Sequence, residues 1–104
     1  MVNPMRGEVE VVLDGRAHVA RLTLGALAEL EHQLGAASLM DLAGRFEAGR
    51  FSSRDVLAVL VAGLRGGGWQ GRAEDLLSVE IDGGPVGAGR AAAELLARAL
   101  RIAA

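Results

Sequence analysis

Nine consecutive residues, Val56 to Leu64, are apolar or glycine, and they constrain this chain more than any other stretch. They lie inside FSSRDVLAVLVAGLRGGGW, Phe51 to Trp69. Ser52 or Ser53 is placed to cap a helix start, and Asp55 follows Ser52 at the spacing of a capping box. Arg65 suits the negative end of the helix dipole, and Gly66, Gly67 and Gly68 then stop the helix. The expected helix, about 53–65, is apolar all round and needs cover on every side. Either the other segments wrap it as the central core helix, which is the favoured reading, or one side waits for a partner.

The rest of the 104-residue chain reads as one domain around that helix. Residues 8–22 carry period-2 alternation on both sides of Asp14-Gly15, a dipeptide suited to a type I′ turn, and so predict a β-hairpin. A two-residue turn sets Leu13 opposite Arg16, Val11 opposite His18, Val9 opposite Ala20 and Glu8 opposite Arg21. One face then gathers Val9, Val11, Leu13, Ala20 and Leu22, while Glu8 and Arg21 are expected to pair in solvent. An isolated hairpin is marginal in water, so this face should lie on helices, and its open edges are possible docking sites.

Four further helices are expected. Thr23 caps one over about 24–34, with Leu24, Leu27, Ala28, Leu30 and Leu34 as its apolar stripe and Gly35 at its end. Ser38 with Asp41 opens a second over about 38–48, burying Leu39, Leu42 and Phe46. A short one over about 73–81 would bury Leu76, Leu77 and Ile81. Asp82-Gly83-Gly84-Pro85 breaks the chain, and a last helix over about 85–102 presents Ala92, Leu95, Leu96, Ala99 and Leu100. The fold class is α+β, an N-terminal hairpin followed by four or five helices.

Composition narrows the function. All eleven basic residues are Arg, they are interspersed with thirteen acidic ones, and the net charge of −2 leaves no basic stripe for a phosphate backbone. No nucleic-acid partner is expected. Cysteine is absent, so no disulfide or thiolate metal site can form. The first ten residues lack an apolar signal core and the longest apolar run is too short for a bilayer, which predicts a cytoplasmic protein without a membrane partner.

No catalytic constellation is legible. His18 and His32 are the only histidines. Glu29 and Glu31 give His32 too few neighbours for a metal site, and His18 reads as a hairpin-rim residue. No signature marks a nucleophile. Arg65-Gly66-Gly67-Gly68-Trp69 follows a helix instead of preceding one, so it is a helix stop and not a phosphate loop. Gly83-Gly84-Pro85 could bind an anion at the helix start, but reads as a simple turn. Glu74, Asp75, Glu80 and Asp82 read as a solvated acidic face that could meet a basic partner. No metal, cofactor or small-molecule substrate is expected, and the chain reads as no enzyme.

What remains is protein contact. Only three aromatics are present, Phe46, Phe51 and Trp69. Trp69 either folds back as a lid on the core, the favoured reading, or stands as a binding anchor. The candidate partner-binding residues are Trp69, Phe51, Val59, Leu60 and Arg65.

The segments MVNPMRGEVEVVLDG, RLTLGALAELEHQLG, RFEAGRFSSRDVLAVLVAGLRGGGW and DLLSVEIDGGPVGAGRAAAELLARAL together resemble a small family. It is found in the tail gene clusters of gene transfer agents and related siphophage-like elements of alphaproteobacteria. The resemblance runs in order over nearly the whole chain. Members have been labelled a tail tube protein and also classed with tail assembly chaperones, which bind the tape measure protein, keep it soluble and recruit tail tube subunits. A tube ring is β-rich and needs many strands, whereas this chain offers one hairpin. The resemblance therefore implies a non-enzymatic tail assembly chaperone of the bacterial cytoplasm, with the tape measure and tail tube proteins as partners and a homo-oligomer possible. The alternative is a structural, tube-associated component retained in the tail of the particle. A small regulatory or enzyme-like domain is the third reading, with no residues to carry it.

Overall fold

In the computed structural model, which describes residues 2–103, the hairpin forms in the register that its alternation dictates. Strand β1 (Val9–Leu13) pairs antiparallel with β2 (Arg16–Ala20), Val9 opposite Ala20, Val11 opposite His18 and Leu13 opposite Arg16. Asp14 and Gly15 turn the chain with φ of 49° and 78°, the left-handed pair that a type I′ turn demands. Val9, Val11, Leu13 and Ala20 are buried on one face. Glu8 does not pair with Arg21. Its carboxylate accepts from the Asn3 amide at 2.7 Å, and its carbonyl accepts from Arg98.

The helices follow in order: α1 (Leu24–Gln33), α2 (Leu39–Glu47), α3 (Ser53–Gly66), α4 (Ala73–Leu76) and α5 (Gly84–Ala103). Their starts obey the capping residues. Thr23, Ser38 and Ser52 each accept from a backbone N–H three residues on. Ser52 and Asp55 form a complete capping box, Asp55 accepting in return from the Ser52 amide at 3.0 Å.

Helix α3 sits centrally, with α5, α1, α4 and β2 packed around it. Val59, Leu60, Gly63 and Leu64 are buried, and Leu95, Leu96 and Ala92 of α5 meet them in the core. The wrapping is incomplete, however. Leu57, Ala58, Val61 and Ala62 remain half-buried on the side between α1 and solvent.

Two further expectations need correction. Helix α1 buries Ala26, Leu27 and Leu30, while Leu24 is 82% exposed and Ala28 is exposed too. Its entry is set from outside: the Arg21 amide donates to the Gly63 carbonyl at 2.9 Å, and the Thr23 methyl group lies beside Gly66. The buried stripe of α1 is Ala26, Leu27 and Leu30, one register away from the expected Leu24 and Ala28. The helix expected over 73–81 ends at Leu76, leaving Leu77 73% exposed. The chain beyond it extends along β1, where Ile81 bridges Leu13. The Asp14 amide donates to Glu80, the Glu80 amide to the Asp14 carboxylate, and the Asp82 amide to Val12. An open strand edge beside the β-branched pair Val79 and Ile81 outcompetes another helical turn.

Candidate interaction surface

The five candidate residues do not share one surface. Val59 and Leu60 are 0% and 1% exposed, sealed in the core, so neither can touch a partner in this fold. An all-apolar helix carries no periodic mark of its inward face, and Val59 and Leu60 lie on that face. Phe51 lies at the rim. Its ring stacks on Phe46, centroids 4.7 Å apart, and its edge approaches Gly89 of α5. Trp69 is half-buried against the core, with its ring over Gly71 and its amide donating to Leu64 at 2.9 Å. Arg65 is exposed, and its Nε donates to the Gly71 carbonyl at 3.3 Å.

The hairpin edges offer less than the sequence promised. Residues 80–82 cover the outer edge of β1 near the turn. On the other side the end of α3 presses on β2.

Two grooves with largely apolar floors meet at Arg54 and Leu57, and further apolar surface lies exposed at Leu24, Met40 and Val86. One, about 330 Å³, runs between α1 and α3, floored by Leu57, Ala58, Val61 and Ala62. The other, about 650 Å³, lies between the start of α3, Leu76, Leu77 and the start of α5, with Phe51 on its rim. The floor residues of the first recur at the i, i+1, i+4, i+5 positions of α3, so they occupy one side of it. No sequence signal separated them from Val59 and Leu60; only packing did.

The polar groups are dispersed. His18 is half-buried on β2 and His32 exposed on α1. Among the described residues no three potential metal ligands come together, and no polar side chain is buried. The four carboxylates expected to form one acidic face divide: Glu74 and Asp75 lie in α4, where Asp75 accepts from the Arg72 amide, and Glu80 and Asp82 flank the bridge at Ile81. No described helix is long and apolar enough to cross a membrane.

A family model described as "Phage tail tube protein, GTA-gp10" matches residues 6–102 of this chain. No curated protein and no solved structure matches.

Proposed function

The chain belongs to the phage tail tube protein, GTA-gp10 family, and from that premise we propose that it is a non-enzymatic component of the tail of a gene transfer agent or phage-like element, acting through protein contacts. The observation that carries this reading is the extent of the match: residues 6–102 take in the hairpin and nearly all of the five helices. The surface supports contact as the mode of action. Both grooves are floored by Leu, Val and Ala side chains, a chemistry that rewards burial by another protein.

The family description favours a structural part, associated with the tube and retained in the particle. A second reading, a cytoplasmic chaperone that shields the tape measure protein and recruits tube subunits, is favoured by the fold. The one two-stranded sheet among the described residues, its edges partly covered, supplies little for a β-rich ring, whereas exposed grooves beside α3 suit helical segments.

Purified particles and the producing lysate separate the two. Stoichiometric presence in particles supports the structural part. Presence in lysate alone, with a co-expressed tape measure protein made soluble and co-eluting, supports the chaperone. Association with neither particle nor tail protein overturns both.

A further inference from the structure

Two Asp-Gly pairs occur in the chain, Asp14-Gly15 at the hairpin turn and Asp82-Gly83 between the β1 edge and α5. A glycine after aspartate matters chemically, because no Cβ shields its nitrogen from the carboxyl carbon of the preceding side chain. Both aspartates are exposed, and both glycines stand at positive φ, 78° and 83°. The aspartate side chains differ. The Asp14 carboxylate accepts from the Glu80 amide at 2.9 Å and is held there. The Asp82 carboxylate has no hydrogen-bond or ion-pair partner among the described residues, and the Gly83 amide donates to none of them. The peptide joining the two also has room to turn. Gly83 and Gly84 follow at φ of 83° and 63°. Gly87 lies beside the Asp82 carbonyl, where a Cβ would stand 2.5 Å from the oxygen and its absence lets the carbonyl swing.

We propose that Asp82-Gly83 is a covalent modification site, at which Asp82 isomerises to isoaspartate through a cyclic imide and becomes an acceptor for methyl transfer from S-adenosylmethionine. The Gly83 nitrogen attacks Cγ of the Asp82 carboxyl in its protonated form. The N–Cγ bond forms, and the amide hydrogen leaves with the carboxyl hydroxyl as water. Water then adds to either carbonyl of the imide. Addition at the Asp82 backbone carbonyl breaks its bond to the Gly83 nitrogen, so the chain continues through Cβ and Cγ. The former backbone carbonyl becomes a free carboxylate, the group that a protein isoaspartyl methyltransferase esterifies. One water is lost and one regained, with no oxidant or reductant. At Asp14 the same closure must first give up the hydrogen bond from Glu80, which slows it about fivefold. The new linkage lengthens the main chain between the Asp82 amide, bonded to Val12, and the Gly83 carbonyl, which accepts from Gly87 in the first turn of α5. This chemistry is independent of the tail role.

The test ages the full chain at neutral pH and physiological temperature. Purified isoaspartyl methyltransferase with labelled S-adenosylmethionine is the probe, and peptide mapping with electron-transfer fragmentation locates the isoaspartate. Residue 82 is expected to carry about fivefold more isoaspartate than residue 14. In urea, where neither side chain is held, the two sites should form it equally. Asp82→Glu closes a larger ring far more slowly and should remove most of the methyl acceptance; the position is exposed, so the variant should fold normally. Equal isoaspartate at residues 14 and 82 of the folded protein overturns the proposal. So does its absence from residue 82 over a period in which the unfolded chain forms it, or methyl acceptance that Asp82→Glu leaves unchanged.

Discussion

Gly67, just past the end of α3, lies so close to the carbonyl of Val19 in β2 that a Cβ there would stand 1.8 Å from the oxygen. Gly66 is as tight against the Arg21 carbonyl, at 2.1 Å. Gly63, one turn earlier, accepts the Arg21 amide on its own carbonyl. The glycines that end the helix are thus also the seat of the hairpin, since only a residue without a side chain lets helix and strand backbones meet at that distance.

Gly67→Ala should therefore destabilise the domain by about 1–3 kcal/mol, because the obstacle is backbone and cannot rotate away. Gly44→Ala is the matched control. Its Cβ would meet nothing within 4 Å inside α2, so it should stabilise by about 0.5–1 kcal/mol. Urea unfolding of both variants checks the opposite signs.

Ser52→Ala removes one half of the capping box at the start of α3. The expected cost is about 1 kcal/mol. Because α3 contacts most of the other elements, the loss should appear as a lower Tm of the single transition, by about 4–8 °C. A separate early transition would show that α3 frays on its own.

Asp14 holds Glu80 at both ends, its amide donating to the Glu80 carbonyl and its carboxylate accepting from the Glu80 amide. Asp14→Ala loses the acceptor of the Glu80 amide and places alanine at a φ of 49°, so the Glu80 amide should exchange its hydrogen faster. Asp14→Asn keeps an acceptor and tolerates the backbone, and should restore protection.

Trp69 reports on its own packing. A Cβ at Gly71 would stand 2.0 Å from the indole, so Gly71→Ala should push the ring outward and shift its emission to the red. Trp69→Ala should lower stability by about 1–3 kcal/mol, less than truncation of a fully buried aromatic. Unchanged melting of Trp69→Ala would show that the ring contributes nothing as a lid.

Leu60→Ala should cost about 2–5 kcal/mol, for Leu60 is sealed in the core. Leu77→Ser, at an exposed position, should stay within about 0.5 kcal/mol of the wild type. Denaturant midpoints that fail to separate the two would contradict the assignment of core and rim.

What the sequence alone determined was local. Alternation and Asp14-Gly15 set the hairpin register, and Thr23, Ser38 and Ser52 set three helix starts, because those signals act within a few residues along the chain. Tertiary structure decided the rest. Helix α3, apolar on every side, has no phase of its own, so contact with α5 and β2 chose Val59 and Leu60 for the core and left Leu57 and Val61 on a groove. The same kind of contact turned α1 away from its expected stripe and drew Glu80 and Ile81 out of the expected helix onto the edge of β1. In each case the deciding partner lies far away in sequence, where neither periodicity nor capping carries information.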